Sequence, residues 1–208
     1  MIGEPAADEA RIRELMCEYM RLAYLKGLIT PLAGNMSYRV SSSRILITPS
    51  RMPKFALRPS DIAVIDIEGR HLEGPRPSSE MWMHIEVYRR GDWRAVVHVH
   101  GLVAPVAGRY LLSDLYRNLE AELRGIRVCI VPELRPGSME LAKAVGNACV
   151  EGCSAVVLDR HGIVAWGHSL EEAMEIAELV EALYRSTLVR KLLDLAWKRE
   201  EGLQTAPR

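Results

Sequence analysis

The sequence predicts an α/β fold in a single domain. Three observations predict it. Apolar residues recur at helical spacing over several long stretches, short apolar or alternating runs bounded by turn residues lie between them, and no repeat, low-complexity segment or linker divides the 208 residues. A chain of that length buries one substantial core.

The elements follow in order. Ile12, Leu15, Met16, Tyr19, Met20 and Ala23 keep the spacing of an amphipathic helix from Asp8, a fitting N-cap, to Lys26, with Gly27 beyond its end. Leu32 to Val40 is a glycine turn entering an alternating strand. Through Ser41-Ser42-Ser43 it pairs as a hairpin with Arg44 to Thr48, and the hairpin closes on the hydroxyl-rich loop Thr48-Pro49-Ser50-Arg51. Ile62 to Ile67 is a strand ended by Glu68-Gly69. Pro77-Ser78-Ser79-Glu80 opens a helix over Met81 to Arg90, with Ser78 or Ser79 as its cap and Glu80 in its first turn. Ala95 to Gly101 is a short buried strand, Leu102 to Leu112 a helix, Ile126 to Val131 a strand and Ser138 to Glu151 a capped helix. Ala155 to Gly167 is two apolar strands about a tight turn. Ser169-x-x-Glu172 is a capping box starting a helix that reaches about Glu200, and a loose tail is expected from Gly202.

Composition narrows the function. Hydrophobic residues are 49% and charged residues 26%, as in ordinary globular proteins, and 27 Lys and Arg balance 27 Asp and Glu. A neutral chain has no overall field to gather nucleic acid or anionic lipid, so neither is expected as a partner. Cys17, Cys129, Cys149 and Cys153 show neither zinc-knuckle nor disulfide spacing and are read as small buried hydrophobes in a reducing cytosol. With no signal-peptide core and no uncharged run of bilayer length, a cytoplasmic location is expected.

The chemistry concentrates in His98-Val99-His100. Side chains alternate across a strand, so both imidazoles leave the same face and can share one metal ion. A pair of partly buried histidines bonded to backbone has the same spacing. His161, at the turn beside Gly162, is the best third ligand, and also reads as an exposed turn residue. His84 lies four residues after Glu80, on the same helix face, and is assigned to the core edge; His71 and His168 are expected at the surface. The first-turn N–H groups after Ser79, the Ser50 loop and Asn35 are three sets of donors suited to an anion.

Gly34-Asn35-Met36-Ser37, Ile47-Thr48-Pro49-Ser50, Pro77-Ser78-Ser79-Glu80, His98-Val99-His100 and His161-Gly162, in this order and spacing, resemble the class II aldolase/adducin family, most closely its L-fuculose-1-phosphate aldolase branch, over residues 10 to 190. The resemblance implies a three-layer α/β/α sandwich around a central, mostly antiparallel sheet, assembled as a homotetramer with active sites at subunit interfaces. It makes His98, His100 and His161 ligands of one zinc ion per subunit and Glu80 both fourth ligand and catalytic acid/base. It places the phosphate of a small phosphorylated sugar among Gly34, Asn35, Ser50, the backbone at Arg51, Ser78 and Ser79. The implied reaction is reversible cleavage of a ketose 1-phosphate to dihydroxyacetone phosphate and an aldehyde, with zinc acting as a Lewis acid. Relatives also use a tyrosine from the neighbouring subunit, for which Tyr116 is the nearest match in spacing.

Other readings within the resemblance are a pentulose-5-phosphate 4-epimerase, whose branch has an aspartate where this chain has Glu80, a methylthioribulose-1-phosphate dehydratase, and a metal-free adducin-like assembly domain. Retention of all three histidines and Glu80 favours an enzyme. The chain departs from the resemblance at Arg51, where the aldolases typically have glycine. A positive φ there would strain an arginine; a tolerated one would let its guanidinium clamp the phosphate.

Overall fold

The computed structural model describes residues 9–41 and 43–204. The expected cap Asp8, the turn residue Ser42 and the last four residues of the expected tail lie outside the described residues. In chain order the elements are α1 (Glu9–Leu25), β1 (Asn35–Ser41), β2 (Arg44–Ile47), β3 (Ala63–Ile65), β4 (His71–Glu73), α2 (Met81–Arg90), β5 (Ala95–Val99), α3 (Ala104–Leu115), α4 (Leu119–Arg124), β6 (Val128–Val131), α5 (Met139–Val150), β7 (Ala155–Leu158), β8 (Gly162–Gly167) and α6 (Leu170–Gln204).

The strands form one sheet of order β4-β3-β2-β1-β5-β8-β7-β6, antiparallel throughout except for the parallel pair β6 and β7. Alternation decides which side chains meet which layer. Met36, Leu46, Val64, Val97, Val157 and Ile163 join α1, α3, α4 and α6 on one face. Ile45, Ile65, Val96, Val156, Val164 and Trp166 join α2 and α5 on the other. This is a three-layer α/β/α sandwich around a mostly antiparallel sheet, as expected. Because both faces are covered, all five residues of β5 are buried, and its apolar run needs no polar alternation.

Helix ends follow local chemistry. α1 stops where Gly27 takes φ +69 and Leu28 N–H returns to Ala23 C=O at 2.9 Å. Ser138 caps α5 by accepting from Leu141 N–H at 3.1 Å, and Ser169 accepts from Glu172 N–H at 3.1 Å at the start of α6. The start of α3 is satisfied from a distance. Glu181 of α6, 1% exposed, accepts from the N–H groups of Leu102, Val103 and Ala104 at 2.9 to 3.0 Å.

Several expectations are corrected. Neither Ser78 nor Ser79 caps α2; Glu80 itself occupies the cap position without a side-chain cap bond, and the Ser78 hydroxyl instead accepts from Glu80 N–H at 3.2 Å. The tail expected from Gly202 is helical as far as Gln204, since α6 continues. β4 and α4, three and six residues long, are too short for a periodic signal. The four cysteines are not all free. Cys129 and Cys153 form a disulfide with Cα atoms 6.0 Å apart, while Cys17 and Cys149 are free. Cys129 sits in β6 and Cys153 just before β7, and the parallel pairing of Val128 with Ala155 brings them together across the α5 crossover. Sequence spacing does not contain that adjacency. Among the described residues, no helix is long and apolar enough to cross a membrane.

Candidate metal centre and substrate cleft

His98, one residue before the end of the fully buried β5, is paired with Asn35 of β1 on one side and Val164 of β8 on the other. Its Nδ1 donates to Ile163 C=O at 3.0 Å, so the proton is on Nδ1 and the Nε2 lone pair is left facing the cluster. His100 follows at the strand end and His161 enters from the β7–β8 turn. The ring centroids lie 4.8 to 5.2 Å apart. Two glycines permit this closeness. A Cβ on Gly162 would strike Val99 C=O and come within 2.7 Å of His98 Cε1, and Gly34, at φ +73, lies 3.0 Å from His98 C=O by the same measure.

Glu80, at the start of α2, completes the group, with Oε2 3.5 Å from His98 Nε2 and Oε1 3.3 Å from His161 Nε2. One ligand atom from each of Glu80, His98, His100 and His161 falls within 4.8 Å of the others. Glu80 Oε1, His98 Nε2 and His161 Nδ1 are buried without a hydrogen-bond partner. Buried polar atoms left unpaired are costly unless something binds them, and three imidazoles with a carboxylate suit a divalent transition metal. The donor set fits such an ion.

Electrostatics favours the neutral form of His98 and His100, the form that binds metal. Burial, then the neighbouring imidazoles, pushes His98 well below its usual range, and burial and His161 lower His100. His84, assigned to the core edge, is instead fully buried and pushed down to about 3 by burial and then by His98. The folded chain thus refuses a proton that the unfolded chain accepts near pH 6.5, so His84 contributes stability that is present above that pH and lost as pH falls towards 3. Metal-free protein should lose roughly 2 kcal/mol between pH 7 and 5 from His84 alone. Urea midpoints at the two pH values check this, and an unchanged midpoint would contradict it.

A cleft of about 400 Å³ opens on the cluster, lined by Gly34, Asn35, Ser50, Arg51, Ser78, Ser79, Glu80, His100 and His161, and by Lys54. Every residue expected to cradle phosphate therefore lines one cavity. Arg51 adopts φ +58, the left-handed conformation its position threatened. Lys54, missed in the sequence, is 2% exposed and donates from Nζ to Pro49 C=O at 2.9 Å and Met52 C=O at 3.0 Å, holding the Arg51 loop from beneath. Burial lowers its pKa. A second, larger cavity of about 910 Å³ shares His100 and His161 and is lined by Leu102, Val106, Tyr110 and the ion pairs Arg109–Asp159 and Arg160–Glu133, both 2.8 Å. Tyr116 reaches neither cavity. Its hydroxyl donates to Val128 C=O at 3.1 Å and accepts from Val128 N–H at 3.0 Å, fastening α3 to β6.

Fold and cluster together define an α/β protein with a metal-capable centre of three histidines and a glutamate beside a donor-lined cleft. The chain belongs to the class II aldolase and adducin N-terminal domain family, whose model matches residues 14–188. It is 35% identical to methylthioribulose-1-phosphate dehydratase of Methylococcus capsulatus, over 85% of this chain and 92% of that protein. It is 30% identical to 3-oxo-tetronate 4-phosphate decarboxylase of Haemophilus influenzae, over 81% and 83%. Among solved structures, L-fuculose-1-phosphate aldolase from Thermus thermophilus superposes with a TM-score of 0.70 at 29% identity, covering 96% of this chain and 99% of that one.

Proposed function

We propose that this chain is a metal-dependent aldolase that reversibly cleaves a ketose 1-phosphate, of the L-fuculose 1-phosphate kind, to dihydroxyacetone phosphate and an aldehyde. The observation that carries the reading is the position of Glu80, with its carboxylate among three imidazoles and lining the cleft. His98, His100, His161 and Glu80 hold the ion, with zinc the best match to the donors. A bound zinc supplies Lewis-acid stabilisation of negative charge gathering on substrate oxygens.

The chain's own groups do the rest. Arg51, the hydroxyls of Ser50, Ser78 and Ser79, and the backbone beside Gly34 bind the phosphate, which fixes the reacting carbons beside Glu80. In the condensation direction Glu80 takes the proton from the carbon of dihydroxyacetone phosphate next to its carbonyl. In cleavage the hydroxyl that becomes the aldehyde gives its proton to water as the carbon–carbon bond breaks, and Glu80 delivers a proton to the carbon left behind. All three relatives named above carry a phosphorylated compound in their names, which supports a phosphosugar substrate. Exposed Leu102, Val106 and Tyr110 at the rim of the larger cavity support the proposed homotetramer, in which another copy covers the site. Tyr116, the nearest match to the neighbouring subunit's tyrosine, is engaged with Val128 of its own chain.

A second reading, dehydration of a methylthioribulose 1-phosphate-like substrate, is favoured by the 35% identity and by apolar Leu102 and Val106 in the larger cavity. A panel of ketose 1-phosphates offered to zinc-loaded protein decides between them. Release of dihydroxyacetone phosphate supports the aldolase, loss of water with the carbon chain intact supports the dehydratase, and neither product from any member overturns both.

The phosphate assignment has its own test. Arg51→Gly removes a charged donor and relieves the left-handed strain together, so KM for a phosphorylated ketose should rise about 10- to 100-fold while stability changes by no more than about 1 kcal/mol. KM for the unphosphorylated sugar should barely move. Equal losses on both substrates would remove Arg51 from the phosphate site.

A further inference from the structure

Beneath Glu80 lies a row of four buried polar side chains that the reaction above does not use. Glu80, His84 and Tyr88 fall at i, i+4 and i+8, one stripe down α2, and face Asn35 and Ser37, which leave the same face of β1. Asn35 and Tyr88 are 3% exposed, and Ser37 and His84 fully buried.

The directions of the hydrogen bonds in the row follow from the Glu80 carboxylate. An ionised carboxylate only accepts, so Asn35 turns Nδ2 towards Glu80 Oε2 and donates at 2.9 Å. Asn35 Oδ1 is then the end that faces His84 Nε2, which must donate to it. In a neutral imidazole the other nitrogen accepts, so Nδ1 takes the Ser37 hydroxyl proton at 2.7 Å. With its proton committed, Ser37 Oγ accepts from the Tyr88 hydroxyl at 2.7 Å. The Tyr88 hydroxyl also lies 3.4 Å from Arg94 C=O, so the sense of the row is set at its Glu80 end, and His84, Ser37 and Tyr88 hold the Asn35 amide in place there. Holding Oε2 in this way leaves Oε1, which has no hydrogen-bond partner, beside His161.

We infer that His84 is a positioning residue of the metal centre: supported by Tyr88 and Ser37, it holds the Asn35 amide in place, and that amide aims Glu80 at the three histidines. The inference rests on the reading of the cluster as a metal site and on none of the substrate assignments.

The test uses metal alone. Metal-free full-length protein is titrated with Co²⁺, whose visible absorption reports the ligands around it. Ser37→Ala, which removes one hydroxyl remote from the cleft, should weaken Co²⁺ binding about 10- to 100-fold and shift the visible bands, as losses of such supporting contacts commonly do. His84→Phe should do the same, and His84→Gln, whose amide can still donate to Asn35, should recover most of the affinity. In a Glu80→Gln background Ser37→Ala should have no further effect, because the row acts through that carboxylate. Unchanged affinity and spectrum in Ser37→Ala would overturn the inference even if His84→Phe does not fold. So would an equal loss in both backgrounds. Failure of the wild type to bind Co²⁺ would overturn the metal-site reading itself, and a missing aldol substrate touches neither result.

Discussion

His98→Ala is expected to remove metal and activity together, with a loss on the order of a thousandfold or more. The residue is fully buried, its Nδ1 is tied to Ile163 C=O, and its unpaired Nε2 lies 3.5 Å from Glu80 Oε2. Its neighbours in the sheet, Asn35 and Val164, carry no imidazole to replace it. Elemental analysis of the purified variant beside the wild type checks the loss, with circular dichroism to confirm the fold. A variant that keeps one ion per chain would sink the assignment of His98 as a ligand.

Glu80→Gln separates proton transfer from metal binding. Glutamine keeps the length of the side chain and can still accept from Asn35 Nδ2, but it cannot accept a proton from carbon. Metal should be held at least about 10- to 100-fold more weakly, yet still load on the three histidines at saturating zinc, where the exchange is measured. Exchange of the dihydroxyacetone phosphate proton with deuterated solvent should fall by about two to four orders of magnitude, the usual worth of a placed general base. Proton NMR of the triose phosphate follows the exchange directly. An unchanged rate would move the base to another residue.

The legible part of this chain was whatever a local period records. The α1 stripe, the β1–β2 hairpin, the Ser138 cap and the His98-x-His100 pair each rest on contacts within a few residues, and each stands in the structure. His161 could be picked out because a histidine at a glycine turn between two apolar strands is a small target. What stayed hidden depends on which elements lie side by side. His84 looked like a helix-face residue until α2 was laid on β1, where its imidazole finds Asn35 and Ser37. A polar i, i+4, i+8 stripe on a helix otherwise rich in buried residues was the available signal. Lys54 and the Cys129–Cys153 bond were hidden for the same reason, since their partners are set by loop path and strand order.

Glu181 gives the two cavities opposite characters. The N–H groups at the start of α3 would draw an anion to the side of Leu102, but they already hold a carboxylate, and nearby Arg109 and Arg160 are paired with Asp159 and Glu133. Across the cluster, Lys54 and Arg51 border a cleft of hydroxyls, and among the described residues neither forms an ion pair with an acid. A ligand with a dianionic end therefore has a preferred head and tail before any shape is considered. Turned end for end, such a ligand would lay its negative charge against donors already taken by Glu181 and guanidiniums already paired with acids.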